Sequence, residues 1–483
     1  MLRTKNLLLI LSVLCASVVN LFAQEQPPAP GAPKSVSIPA VQEKKLPNGL
    51  TVATIQRPGV PLVTIQLLVK SGASTEDAGK AGLADITASM LTKGTKTRSA
   101  TEIAEAMEFL GSSIGSGAGW NSSFVSATVT SDKVDQALAI MADVILNPKF
   151  DEKELDLLKS QTLDGLTFNL KQPSFLANYV ASKYSFGEHP AGGTPASIAS
   201  ITRDDISKFY AANFNPNNSV FVITGDISPT AAAAIIQKQF GNWTGVSKVS
   251  LPPINGDWAA ETNPIRRLLV VDLPKSGQAA VMFAKTVFAA GRKNKSSYYD
   301  ALVLNSVLGG GYSSRLNYEI RIKRGLSYGA GSSFAWRESK SNFSTRIQTK
   351  TVSAAEVLEL VLAEMKKLSD SSVAGDELVP RKSVLTGNFG RNLETTGGLA
   401  GAVGDLYAFG LPAAELNAYV SNVNGVTDAQ IKDFAKQNLM GGDVIIVGDY
   451  SDFKDDLAKR FPNMKVDVIK AADLDLSKDN LRK

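Results

Sequence analysis

Apolar positions recur along this chain in two periods. Over Lys45–Gln56 (KLPNGLTVATIQ) an Asn48-Gly49 pair stands between apolar runs, and Pro61–Val69 (PLVTIQLLV) is rich in β-branched residues. Together they predict a hairpin opening a sheet. Helical spacing follows. Ser99-Ala100-Thr101-Glu102 has the form of a capping box, Ile103, Met107 and Leu110 continue at helical intervals, and Gly111 is a stop. Val134, Leu138, Met141 and Ile145 make another buried stripe, and Glu152–Tyr184 reads as a long helical region. A helix over Asp204–Asn213 then leads into a strand, Val220–Thr224, that runs into Gly225-Asp226. Strands, helices and a closing strand in this order predict an α+β layer.

The later half repeats that ending. Thr202, Ile206, Phe209 and Asn213 find Thr427, Ile431, Phe434 and Asn438, each 225 positions on (427 less 202), and Val444–Val447 again runs into Gly448-Asp449. Duplication is the economical explanation. The expected organisation is an N-terminal domain over 41–245, a polar and Pro-containing linker over 246–264, a homologous C-terminal domain over 265–470 and a tail over 471–483.

At 483 residues the chain is too long for one ordinary core, and 44% hydrophobic with 20% charged residues describes a folded protein. A net charge of +5, spread without Lys/Arg blocks, argues against a nucleic-acid partner. Met1–Ala23 carries Arg3 and Lys5, an apolar run Leu7–Val19 and a closing Leu21-Phe22-Ala23, the form of a secretory signal peptide cleaved after Ala23. The run is short for a bilayer, so no stable membrane insertion is expected after cleavage. Export is expected, with the periplasm favoured over the extracellular medium. Leu14 argues against a lipoprotein site at Cys15, the chain's one cysteine, and removal of the leader leaves no disulfide. Residues 24–40, with QPPAPGAP, read as an extended tether.

The segment Gly79–Thr95 (GKAGLADITASMLTKGT) starts as an amphipathic helix, yet its inner turn carries Asp85, Ala88 and Ser89. Together with LPNGLTV, the capping-box helix, Gly187-Glu188-His189-Pro190 and GGGYSSRLNYEIRIKRGLSY, it resembles the pitrilysin/insulinase family of zinc peptidases, from about Lys45 to Tyr450. That resemblance implies two homologous α/β-roll halves, each a sheet with helices packed on it, arranged as a clamshell. Active members carry H-x-x-E-H where DITAS stands here: two imidazoles on one helical face bind zinc and the glutamate is general base. Asp85 and Ser89 replace the imidazoles and Ala88 the base. A later glutamate ligand aligns with Gly165, beside Asp164. The chain has one histidine, His189, so it cannot form a two-histidine zinc site, and His189 reads as structural.

The resemblance implies that the substrate side survives. An Arg and a Tyr seven residues apart after a glycine-rich segment match Arg321 and Tyr328, a guanidinium fork for a peptide and a phenol for an oxyanion. Without it, Arg321 reads as a solvated helix-face charge beside Arg315, Lys323 and Arg324, and Tyr328 as a half-buried strand residue. Gly309-Gly310-Gly311 lacks the Lys-Ser/Thr of a phosphate loop. The implied role is the non-catalytic, substrate-binding subunit of a heterodimeric zinc peptidase, with no cofactor in this chain and zinc in a homologous partner that bears the motif. An extended peptide binds by adding a strand to a sheet edge. The alternative is a metal-free peptide-binding or scaffolding pseudoenzyme, with self-pairing as a homodimer in place of the heterodimer.

Overall fold

Two mixed sheets of six strands carry the fold. The computed structural model describes residues 38–245, 265–478 and 480–483; the expected signal peptide, most of the tether and the 246–264 linker lie outside the described residues. The first sheet holds β1 (Gln42–Lys45), β2 (Thr51–Gln56), β3 (Leu62–Val69), β4 (Ile114–Ala118), β5 (Ser123–Thr130) and β6 (Ser219–Gly225), in the order β1-β2-β6-β3-β5-β4. The second holds β7 (Ile265–Asp272), β8 (Gln278–Val287), β9 (Ser327–Trp336), β10 (Ser341–Lys350), β11 (Gly442–Gly448) and β12 (Val466–Lys470), in the order β12-β7-β11-β8-β10-β9.

The Asn48-Gly49 turn does form a hairpin, between β1 and β2, with Gly49 at φ +94°. β3 is not its third strand. β6, buried along its whole length, takes the centre of the sheet, parallel to β2 and antiparallel to β3.

Duplication is visible strand by strand. β2, β6, β3, β5 and β4 correspond in order and sense to β7, β11, β8, β10 and β9, and only the strand beyond β2 or β7 differs. The helices Arg203–Asn213 and Asp428–Asn438 both open with a capping box, on Thr202 and Thr427. Both close alike: the Asn213 amide donates to the Phe209 carbonyl at 2.8 Å and the Asn438 amide to the Phe434 carbonyl at 3.0 Å. The first half then spends an extra turn, Pro216–Asn218, before its strand.

Helices of each half cover one face of its own sheet. Ile65, Leu67 and Val125 meet Met90, Met107, Leu138 and Met141 in the first core, and Phe283 and Phe343 meet Leu304, Leu358 and Phe434 in the second. The opposite faces are covered by exchange. Pro173–Tyr184, from the first half, lays Leu176, Ala177 and Val180 on Leu269, Met282 and Ile445 of the second sheet. Thr396–Ala408, from the second half, lays Leu399, Ala400 and Val403 on Ala53, Ile55 and Val222 of the first. The expected long helical region is thus two helices, Glu152–Asn169 and Pro173–Tyr184, and Pro173 fits the second helix's first turn, where its missing N–H costs nothing.

Residues expected as a tail are packed: Leu481 is fully buried and Leu474 and Leu476 lie partly buried beside Leu176. Buried Asp443 accepts paired bonds from Arg266 (3.0 and 2.8 Å) and from Arg267 (2.9 and 2.6 Å), and Arg267 stacks on Tyr184 of the exchanged helix at 3.9 Å. Among the described residues no helix is long and apolar enough to cross a membrane.

Candidate functional site

The helix Leu83–Leu91 opens without a capping side chain at its N-cap, Gly82, where φ is +90°. Glu76 supplies the cap instead. Its carboxylate accepts from the Gly82 N–H at 2.9 Å and the Ala84 N–H at 2.5 Å, at the positive end of the helix dipole. Burial pushes the Glu76 carboxyl up to about 8, against the pull of those two donors and with a push from the charge of Asp85. His189 stands beside it, Nδ1 3.7 Å from Glu76 Oε2, its ring 5.1 Å from that of Trp120. That placement makes His189 part of the wall around the helix start. Sequence reasoning missed Glu76 because a cap is sought next to its helix, and this one folds back from seven positions upstream.

Ala88 is fully buried, a methyl group at the position where the resemblance implies a general base. Ser89 is half-buried. Asp85, also half-buried, turns its Oδ1 to the Ala118 N–H at the end of β4, 3.2 Å away. Burial raises the Asp85 carboxyl above its ordinary range, and the Ala118 bond opposes that shift. Gly165 lies exposed on the helix Glu152–Asn169, with open space where a Cβ would be, and Asp164 is exposed beside it.

Zinc needs three or four converging nitrogen, sulfur or carboxylate donors. The motif positions offer one carboxylate, already tied to backbone, and a hydroxyl. Among the described residues no group of three or more His, Cys, Asp or Glu side chains is placed to hold a metal ion. The described residues at these positions do not fit zinc.

In the second half Arg321 lies on a π-helical turn, Asn317–Ile322, with its guanidinium 5.1 Å from the centre of the Tyr312 ring. Its neighbours are paired. Arg315 grips Glu377 through two bonds of 2.8 and 2.7 Å, and Lys323 and Arg324 both reach Glu319. Of these four cations only Arg321 has no carboxylate partner among the described residues. Tyr328 is on a strand, as expected, but it is 92% exposed rather than half-buried, because it stands at the start of outermost strand β9. Tyr312 and Tyr318 are 67% and 55% exposed. The glycine run has a packing reason: a Cβ on Gly309 would lie 2.3 Å from the Ser332 nitrogen, so the loop lies flat on β9. No hydrogen bond, ion pair or ring contact joins Arg321 or Tyr328 to Asp85, Ser89 or Gly165 among the described residues.

The halves meet beside the motif helix. Asn121, in the β4–β5 turn, donates to the Trp336 carbonyl at 3.2 Å, and the Arg337 guanidinium lies 4.7 Å from the Trp120 ring. Buried Glu188 accepts from Arg337 at 3.2 and 2.7 Å and from Asn342 at 2.8 Å, and pairs with Lys340 at 3.1 Å. Burial works against its charge, yet those cations hold the Glu188 carboxyl below its usual range.

The sheet edges are unequal. β1 is lined by exposed charged residues, Glu43, Lys44 and Lys45, and at β12 Arg482 donates to the Val468 carbonyl. On β9 the outward amides of Ala330 and Ser332 are taken by Asn317 Oδ1 and the Gly309 carbonyl. β4 is different. The Gly119 amide bonds across to Ser122, so alternation turns the main-chain groups of Ile114, Ser116 and Ala118 outward, and only Ala118 has an outward partner among the described residues. Its sequence, IGSGA, bears no charge, proline or bulge to guard it.

Comparison with known proteins bears on this arrangement. A model of the insulinase family (peptidase family M16) matches residues 51–180, and a model of the peptidase M16 inactive domain matches residues 200–379, together more than half of the chain. The chain belongs to the M16 family. An uncharacterized zinc protease of Rickettsia bellii is 29% identical over 330 residues, covering 67% of this chain and 76% of that protein. One of Bacillus subtilis is 23% identical over 394 residues, 81% and 93% of the two. Among solved structures, a peptidase M16 inactive domain from Pseudomonas fluorescens superposes with a TM-score of 0.74 at 25% identity, over 84% of this chain and 98% of that one. A protease from Helicobacter pylori, 19% identical, shares the fold with a TM-score of 0.78 over 85% and 100%. Within this M16 chain the segment matched by the insulinase-family model carries Asp85, Ala88 and Ser89, and the segment matched by the inactive-domain model carries Arg321 and Tyr328.

Proposed function

We propose that this chain is the non-catalytic, substrate-binding subunit of an exported heterodimeric zinc peptidase. A homologous partner supplies the zinc and the general base, and this chain lends Arg321 and Tyr328 to the shared site. The observation that carries the reading is a contrast. Asp85, Ala88 and Ser89 supply neither a metal shell nor a base, while Arg321 and Tyr328 remain exposed and, in Arg321, free of any carboxylate among the described residues. Keeping an unneutralised guanidinium over the exposed Tyr312 ring suits a group that meets a peptide carbonyl or carboxylate from outside. The relatives described as zinc proteases supply the class of reaction, and the leader-like Met1–Ala23 supplies the exported, periplasmic setting.

Peptide enters as an extra strand. The outward groups of Ile114 and Ser116 on β4 give it a backbone ladder, and β9, plugged by its own loop, does not. The open β4 edge belongs to this chain alone, so it also favours a second reading, a metal-free peptide-binding pseudoenzyme that needs no peptidase.

Replacing Arg321 by Ala in the assembled complex tests the first reading. Turnover at low substrate concentration falls by about 10–10², the scale of one lost charge-assisted hydrogen bond to the peptide, while zinc content and assembly stay as they were. Unchanged turnover would overturn the assigned role.

A further inference from the structure

The Ala118 amide lies at the end of the open β4 edge, where the next rung of an added strand would form. Its partner is Asp85 Oδ1, from a position that the family resemblance gives to a zinc-binding imidazole. Asp85 has no cationic partner among the described residues. Gly117, beside that amide, is buried, and a Cβ there would lie 3.8 Å from Asp85 Oδ1 and 3.3 Å from the Phe124 ring, so carboxylate and strand are closely fitted. Past Ala118 the edge is closed again: the Ala73 and Ser74 amides donate to the carbonyls of Gly119 and Trp120, both at 2.9 Å.

We propose that Asp85 is an end stop for the peptide strand, a former metal-ligand position that now occupies the last rung of β4 and fixes where a bound peptide must end its pairing. This rests on the reading of β4 as the peptide edge. The occupant is an extended peptide segment. Its main chain pairs with Ile114 and Ser116, and its next carbonyl finds the Ala118 N–H already taken. Register along a strand edge is otherwise free to slip in steps of two, since every second residue offers the same groups. IGSGA, with two glycines and small neighbours, provides little side-chain relief to prevent slippage. A fixed acceptor at one end provides the missing reference point. Asp85 is in this sense a positioning residue for substrate register.

Hydrogen exchange of the full chain, read amide by amide by mass spectrometry, tests this with a fluorescent synthetic peptide of alternating valine and lysine residues as probe. In the unaltered chain the probe slows exchange at Ile114 and Ser116, while Ala118 is slow with or without it. In Asp85→Ala the Ala118 amide exchanges fast in the free chain, slows on adding the probe, and the probe binds about fivefold tighter, the worth of one net hydrogen bond. Asp85→Asn keeps an acceptor oxygen and behaves like the unaltered chain, which separates the hydrogen bond from the charge. If Asp85→Ala changes neither Ala118 exchange nor probe affinity, the end stop is wrong and the β4 edge stands. If the probe slows neither Ile114 nor Ser116 in any form, the peptide edge itself is wrong, and the end stop falls with it.

Discussion

The residue that organises the start of the motif helix is Glu76, not one of the motif positions. Its folded-state carboxyl, raised from 4.5 to about 8, holds a proton more tightly than the unfolded chain does. The stabilising contribution is therefore complete below about pH 4.5 and lost as pH rises through about 8. Glu76→Gln, which cannot ionise, flattens the fall in thermal midpoint across that window; equal slopes in both proteins would show that Glu76 is not its source. Much at this scale was legible in sequence. The Ser99 and Thr202 capping boxes and the buried stripe Val134, Leu138, Met141 and Ile145 are all in place, because caps and helical periods are local. Glu76 and the exposure of Tyr328 were not, since both depend on what the fold brings near, or leaves bare.

At the scale of elements, sequence predicted which segments are strands but not every neighbour. Inserting β6 between β2 and β3 couples a segment near residue 220 to the N-terminal hairpin, and no pattern within either segment records it. Exchange of helices was equally silent. Thr396–Ala408 (TGGLAGAVGDLYA) shows an apolar face, but nothing in that face says which sheet it covers. Its glycines and alanines allow close approach: a Cβ on Gly404 would lie 3.3 Å from Gln66 Nε2. Leu399→Ala, which empties part of this contact, lowers stability by about 2–4 kcal/mol in urea titration. A change below about 0.5 kcal/mol would mean that the exchanged helix contributes little. Asp443→Ala costs about 1.5–3 kcal/mol, because it removes a buried carboxylate that two partly exposed guanidinium groups share.

For the whole molecule, the exchange makes two homologous halves one folding unit. Residues 265–483 alone leave Leu269, Met282 and Ile445 without the cover of Pro173–Tyr184, and residues 41–245 leave Ile55 and Val222 without Thr396–Ala408. Each half expressed alone is accordingly insoluble, co-expression restores both, and the full chain unfolds in a single calorimetric transition. Two separate transitions would contradict this interlocking. The buried Glu188 cluster adds a polar tie between the halves beside the motif helix.

In the proposed role a zinc-peptidase fold serves substrate and not metal. The most direct measurement is the zinc content and peptidase activity of the purified full chain, alone and after assembly with a motif-bearing homologue. No retained zinc and no hydrolysis are expected from the chain alone, with about one zinc per heterodimer and activity that needs Arg321 in the assembly. One zinc per chain with peptide hydrolysis by the chain alone would contradict that role.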